Sequence, residues 1–391
     1  MTFTASADIM DCAHISVHCS TGKDTLLMTH DPTSKGRRNP AWLSKPMGCV
    51  LGLLRFGLRA GLIAWASLAL YWSNLPWPWV RLALALAFLA FGIWALWIAR
   101  RPRGLWLFAA TFLAVLCWWL LIPPSQDRDW RPEVAVLPRA IIDGDRVRLI
   151  NVRNFDFRSR DDFTVRHENR EVLLSHLTGV DFYLSFWREG PIGHTWVSFL
   201  FDNAPPVSIS IETRPEKGEG FAPLASLFKQ FELIYVIGDE QDLVGLRASH
   251  RDEQVFLFHV MAPPKMAQRL FLIYLERVNE LAKRPEWYHL LSNSCTINIV
   301  RYMNRAGREG DLRMSHLLNG LFDGYLFSVG LLDTSMPLAE LRERSRITAA
   351  AKAAENDPDF SNRIRAGLPR FPAPKRETPI ISTAPTPTEP K

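Results

Sequence analysis

The stretch LALALAFLAFGIWALWIARRPRGLWLFAATFLAVLCWWLLI, residues 82–122, decides the architecture. It holds an uncharged run of 18 residues, Leu82–Ala99, a basic loop with Arg100, Arg101 and Arg103, and an uncharged run of 19, Gly104–Ile122. About 20 apolar residues span the hydrocarbon core of a bilayer, so each run is long enough to cross. Upstream, residues 47–74 form a third apolar run with Arg55 and Arg59 near its start, where long cationic side chains can reach the headgroups. An interfacial amphipathic helix is the competing reading of that run. Residues 75–81, LPWPWVR, read as a turn at the interface, with two prolines and two tryptophans. Nine of the 14 tryptophans fall between Trp65 and Trp119, the enrichment that a membrane–water interface selects.

Charge placement gives the topology. The net charge of +6 is concentrated beside the apolar runs, at Lys35, Arg37, Arg38, Lys45, Arg55, Arg59 and the Arg100–Arg103 loop. Basic residues so placed are orientation signals, and no nucleic-acid partner is expected. The leader and the Arg100–Arg103 loop belong in the cytoplasm, and the 75–79 turn lies outside. Three crossings then put everything after Pro123 outside, in the periplasm of a Gram-negative cell, with the anchor in the inner membrane. Three runs in series are not a cleaved signal peptide. Residues 1–46 are polar and aperiodic: either a disordered leader, or a segment upstream of a true start at Met47.

Residues 123–138 are a Pro-rich linker and 139–368 the soluble domain; 369–391 is a Pro/Thr-rich tail expected to be disordered. The domain reads as α+β. RAIIDGDRVRLINVRNF, residues 139–155, predicts two strands about an Asp-Gly turn, with Val147, Leu149 and Asn151 alternating. A helix and then the strand DFYLSFW are expected over 171–187. HTWVSFLF, VSISIET, LIYVIG and QVFLFHV read as further strands. Ala267, Leu270, Phe271, Tyr274, Leu275, Val278 and Leu281 recur at helical spacing over 266–283. A second helix is expected to begin at 294–296.

Of Cys12, Cys19, Cys49, Cys117 and Cys295, only the last lies in the soluble domain, so no disulfide framework is possible there. Cys295 follows Asn293 and Ser294, both good N-cap types. In the first turn of a helix, the amide dipoles favour a thiolate. A Gly-Pro…Gly turn in GPIGHTWVSF, residues 190–199, delivers His194 to the start of a strand. A Cys at a helix start facing a His on a strand is a papain-like arrangement, in which imidazole takes the thiol proton. The bland alternatives are a small buried hydrophobe at Cys295 and a structural histidine at 194. His167, His176, His250, His259 and His289 read as surface or structural. No residues show zinc spacing and no Gly-rich phosphate loop occurs, so neither metal nor cofactor is expected.

Several blocks, in order, resemble the family of the Lnb N-terminal periplasmic domain: DRVRLINVRNFDFRS, VDFYLSFW, GPIGHTWVSFLF, SISIETRPEKGE, ELIYVIGDEQDLVGLR and RPEWYHLLSNSCTINI, then GLLDTS and ELRERSRI. They cover about 144–367. The resemblance implies a permuted NlpC-like or LRAT-like fold, papain-like with the histidine strand ahead of the cysteine helix. It implies lipoprotein transacylase chemistry: Cys295 attacks a glycerol ester and carries a thioester, and His194 serves first the thiol and then the acceptor amine. Membrane lipids and lipoproteins are the partners so implied. A third, orienting residue should come from the strand after His194, where Ser208, Ser210 and Glu212 share one face. Glu212 is the choice, with a strand-end ion pair to Arg214 as its alternative role. Asn293 is a candidate oxyanion donor, which N-capping would explain equally. Two departures from the family pattern are VRHENREVLL, residues 165–174, in place of a tryptophan-led block, and Gly193 where alanine is common. A cell-wall peptidase or amidase is the second enzyme reading, and a non-catalytic envelope scaffold with a merely buried Cys295 is the third.

Overall fold

The computed structural model describes residues 41–99, 102–188, 190–307 and 318–369. The polar leader to residue 40, Arg100 and Arg101 of the basic loop, and the tail from 370 lie outside the described residues.

Three long apolar helices come first: α1 (Ala41–Tyr71), α2 (Pro78–Ile93, prolonged by a π turn over Trp94–Ile98) and α3 (Pro102–Leu121). The spans Val50–Tyr71, Pro78–Ile98 and Pro102–Leu121, with mean hydropathy 1.4, 2.0 and 2.0, are each long and apolar enough to cross a membrane. Pro78 stands in the first turn of α2, where a missing N–H leaves no helical bond unmade. The interfacial turn is therefore shorter than 75–81. Ile63, Ala66 and Leu70 of α1 pack on Ala85 and Phe88 of α2 and Phe108 of α3. Gly92 permits this: a Cβ there would lie 2.7 Å from Ile63, the small-residue contact typical of membrane helices.

The domain that follows is built on an eight-stranded sheet. Its strands are β1 (Arg139–Asp143), β2 (Arg146–Arg153), β5 (His167–Leu173), β6 (Leu177–Phe186), β7 (His194–Phe201), β8 (Val207–Arg214), β9 (Glu232–Gly238) and β10 (Gln254–Val260); β3 (Asp156–Phe157) and β4 (Phe163–Thr164) form a separate hairpin. The order is β1-β2-β9-β8-β7-β6-β10, with β5 also on β2. Pairing is antiparallel throughout except the single β2–β9 contact. Period-two alternation sends Phe182, Val197, Phe199, Ile209 and Tyr235 to one face, under α5 (Pro264–Lys283) and α6 (Cys295–Arg305). It sends Tyr183, Trp196, Ile234 and Val236 to the other, under α4 (Glu240–Gly245), α9 (Thr348–Ala353) and α10 (Phe360–Arg363). Among the described residues, α7 (Phe322–Ser328) and α8 (Leu338–Arg344) complete the set of α-helices.

All seven apolar positions expected on the 266–283 helix are the buried residues of α5. Other expectations need correction. No helix fills the start of 171–187: β5 runs to Leu173, one 3-10 turn spans Leu174–His176, and β6 begins at Leu177. The alternation of β2 breaks at Asn151, which has φ 61° and marks a register shift between Leu149 and Val152. A bulge of this kind returns Val152 to the buried side.

Residues 123–138 are a strap fastened to the domain. Gln126 donates to the Leu281 carbonyl (2.7 Å), and Arg128 pairs with Glu216 and Glu232 (both 2.8 Å). Trp130 is buried under the Arg214 guanidinium, 4.3 Å from its ring centroid. The helix ends next to the domain are fastened too. Phe228 stacks on Trp72 (5.3 Å), and Lys229 Nζ donates to the carbonyls of Trp119, Leu120 and Ile122 at 2.8–3.0 Å. These are carbonyls that a helix C-terminus leaves without intrahelical partners, and a cation there also meets the negative end of the helix dipole. Lys229 reaches them from φ 29°, a conformation uncommon for a non-glycine residue.

Candidate active site

Cys295 opens α6 where β7 begins. Thr195 and Thr296 join the two elements by an Oγ1–Oγ1 hydrogen bond of 2.9 Å, fixing the cysteine beside His194. The N-cap is Ser294, buried and without a side-chain capping bond. Cys295 itself is 1% exposed. Burial alone would raise its pKa. A hydrogen bond from His194, the His194 charge, and donors from the side chain and backbone of Thr195 outweigh that and bring the thiol from 9.0 down to about 6. The thiolate is thus the resident form at neutral pH.

His194 stands against β8. Its Nε2 lies 2.7 Å from Ser210 Oγ and 3.8 Å from Glu212 Oε1. With Nε2 so engaged, Nδ1 is the ring nitrogen left for the thiol. The ring also stacks on Trp196, with centroids 5.8 Å apart and planes at 20°. Ser210 and Glu212 share a strand face as alternation requires, and Ser208, on the same face, bonds Ser198 at 2.5 Å.

Glu212 does not pair with Arg214. Arg247 donates to it at 2.7 Å, while also donating to the Leu243 carbonyl (2.8 Å) and lying 4.6 Å from the Trp196 ring centroid. Burial would raise the Glu212 pKa; Arg247, His194, Arg153 and the Ser210 hydrogen bond hold it well below the usual carboxylate range. A carboxylate so fixed stabilises imidazolium when His194 takes a proton.

Asn293 is drawn away from the reacting groups. Its Nδ2 donates to the Trp287 carbonyl (2.9 Å) and Glu286 (3.3 Å), and its Oδ1 accepts from Asn298 (2.9 Å). Neither an oxyanion role nor a side-chain cap is left to it. Two residues that the sequence did not single out lie close to Cys295. Asn319 Oδ1 accepts from Gly193 N–H (2.9 Å), and its Nδ2 donates to the Gly193 carbonyl (2.5 Å) and lies 3.8 Å from Cys295 Sγ. The buried Tyr288 hydroxyl faces both the backbone N–H and the thiol of Cys295. Tyr288 lies inside the quoted RPEWYHLLSNSC block; nothing in the sequence marks Asn319, which comes from a later loop. Gly193 is less replaceable than its small size suggests. A Cβ there would lie 2.5 Å from the Ser185 carbonyl, so the turn before His194 is packed against β6.

These groups line one cleft of about 400 Å³, within the range of small-molecule sites. One wall carries Trp187 and Phe221, 47% and 48% exposed and packed edge to face at 5.9 Å. The lining also carries arginines, among them Arg160 and Arg251.

A buried thiol at a helix start thus lies beside a histidine on an earlier strand of the sheet, the order and placement expected of a papain-like arrangement. Residues 163–323 match the family model of the Lnb N-terminal periplasmic domain, the family that the sequence blocks resemble. The matched segment holds His194, Ser210, Glu212, Tyr288, Cys295 and Asn319. Among curated proteins and among solved structures, nothing matches. This match and the three helices long and apolar enough to cross a bilayer fit a membrane protein with a periplasmic domain.

Proposed function

We propose that the protein is a cysteine-dependent acyltransferase or hydrolase that acts on lipid esters at the periplasmic face of the inner membrane. The observation that carries this reading is the Cys295–His194 pair, with its thiol near pKa 6, in a domain fastened to the adjoining ends of the helices. Such placement favours substrates that reside in the bilayer surface over cell-wall peptides.

The steps follow from the geometry. His194 Nδ1 holds the proton given up by Cys295, and the thiolate attacks the ester carbonyl. The backbone N–H of Cys295, with the Tyr288 hydroxyl beside it, faces the developing oxyanion. Collapse breaks the ester C–O bond, and imidazolium returns the proton to the leaving glycerol oxygen. Cys295 then carries the acyl group as a thioester. An acceptor amine attacks it, His194 removes the amine proton, and the amide forms as thiolate leaves. On the family's precedent the acceptor is a lipoprotein N-terminus; water in its place gives hydrolysis. Ser210 and Glu212 hold the imidazole in orientation throughout.

The test is mass spectrometry of envelope lipoprotein N-termini from cells expressing wild type or Cys295→Ala. N-acylated lyso-forms, or an acyl-Cys295 thioester, in wild type alone are the expected result. Identical profiles with a rapidly alkylated Cys295 would move the substrate to cell-wall peptides. An inert Cys295 would leave only the scaffold role.

A further inference from the structure

A second cavity, of about 390 Å³, lies where the ends of α1 and α2 next to the domain meet residues 219–231. Trp72, Trp79 and Leu82 line it from the helices, and Ala222, Ala225 and Phe231 from the domain. Of the polar side chains around it, Arg81 donates to the Ser73 carbonyl (3.2 Å) and Gln230 donates to Glu219. The free surface of this groove is more apolar than polar. Helix ends flanked by tryptophan lie at the headgroup level, so with the helices spanning a bilayer the groove opens onto lipid.

The groove adjoins the catalytic cleft at Gly220, which lines both. A Cβ on Gly220 would meet nothing within 4 Å, so the space on that side of the backbone is unfilled. In the cleft, Phe221 and Trp187 are left half exposed. Two apolar surfaces thus meet at one glycine, as two chains meet at one glyceryl group.

The N-acylated lyso-form expected above requires one lipoprotein to give up the acyl group and to receive it. A lyso-form has also kept one chain of two. Once the thioester has formed, the lyso-lipoprotein is no longer bonded to the protein. If it departs, water takes the acyl group instead of the amine. Transfer therefore needs a non-covalent hold on the alcohol half, and burial of a retained chain supplies one, each methylene adding to it.

We propose that the groove between α1/α2 and residues 219–231 holds the acyl chain that is not transferred, keeping the lyso-lipoprotein in place until its own amine attacks the Cys295 thioester. This rests on the acyl-transfer reading and says what separates transfer from hydrolysis. Attack by the amine forms the N–C bond, breaks the C–S bond and returns the thiolate, with the amine proton passing to His194. Attack by water on the same thioester breaks the same bond and releases a free fatty acid. The groove residues touch no reacting atom; they set which nucleophile is present.

The test uses the full chain in nanodiscs and two synthetic glyceryl-cysteinyl peptides with free N-terminal amines. Each carries one palmitoyl ester, at either glyceryl position in turn. The other chain is a hexadecyl ether in one peptide and a methyl ether in its counterpart. An ether cannot be transferred, so it is the retained chain by construction. Mass spectrometry reads acyl-Cys295 and the ratio of N-palmitoyl peptide to free palmitate. In wild type that ratio should be about tenfold or more higher from the hexadecyl ether than from the methyl ether. Leu82→Trp and Ala222→Trp, which fill the groove from either side, should bring the hexadecyl ratio down to the methyl one. Equal ratios from the two ethers in wild type, or variants that acylate Cys295 and keep the wild-type ratio, would overturn the proposal and leave acyl transfer standing. If neither peptide acylates Cys295, the acyl-transfer reading falls and the proposal with it. A diazirine on the hexadecyl chain locates the groove without any variant. It should label residues 71–82 or 219–231, and labelling confined to other residues would exclude the groove.

Discussion

Replacing His194 by alanine tests the electrostatics of the site most directly. In the wild-type site the thiol lies near 6 against an ordinary 9.0, a difference worth about 4 kcal/mol in favour of the thiolate. The lowering contributions come first from the His194 hydrogen bond and charge. Their loss leaves burial opposed only by Thr195, so the thiol returns to about 9 or above. At pH 6 the wild type is half ionised and the variant roughly 0.1% ionised, a deficit of ~500-fold in thiolate. A more basic thiolate is also a better nucleophile, by roughly 20-fold across that range. The net expectation at pH 6 is alkylation about 25-fold slower in the variant, shrinking to about fourfold at pH 7. Near pH 10 the order reverses, and the variant reacts up to about 20-fold faster. The assay is the rate of iodoacetamide capture on the Cys295 peptide between pH 5 and 10, read by mass spectrometry. A buried site slows both proteins alike, so the midpoints carry the result. If the variant keeps its midpoint near 6, with no crossing of the two profiles, His194 does not set the thiol's ionisation and the pair is not catalytic.

Three further outcomes follow from the same contacts. Glu212→Gln leaves the buried Arg247 guanidinium without its counter-charge and should destabilise the domain by roughly 3–5 kcal/mol; Glu212→Gln with Arg247→Met should recover much of the melting temperature and none of the activity. Asn319→Ala removes both hydrogen bonds that hold the Gly193 backbone and should lower stability by roughly 1–3 kcal/mol, with a fall in kcat that exceeds any change in KM. Lys229→Met should free the last carbonyls of α3, at about 1–2 kcal/mol, seen as faster hydrogen exchange over residues 225–231 and 119–122.

The legible parts of the sequence were those with an unambiguous period or a strong length requirement. The apolar runs reached bilayer length, and α5 showed seven apolar residues at helical spacing, every one buried. The order of His194 and Cys295 was legible because each is placed by local punctuation, a glycine turn and a helix start. The failures share a cause: the deciding partner was distant in the chain. Val172, Leu173, Leu174 and Leu177 suit a helix or a strand end equally, and pairing with β2 settles β5 as a strand. Glu212 does stand beside His194, but the alternative partner for its carboxylate, its neighbour Arg214, is not the one it pairs with: Arg247 reaches it from the segment after α4. Asn293 looked right by adjacency to Cys295, whereas Asn319 approaches the sulfur from 24 residues downstream. The strap from Pro123 read as a linker from its prolines; Trp130 and Val134 show their burial only once the sheet exists to cover them.

That strap, with Phe228 and Lys229 on the helix ends, acts as a ruler. A catalytic head on a slack tether would sample a volume and accept any suitable bond within its radius. With the three helices spanning a bilayer, the contacts from Trp72 to Leu281 would set the height of Cys295 above the lipid. Reactivity should then depend on how far a bond protrudes from the bilayer, as much as on its chemistry. A bilayer of different thickness would raise or lower the cleft relative to the esters it meets, making membrane composition a control on turnover without any change in the protein.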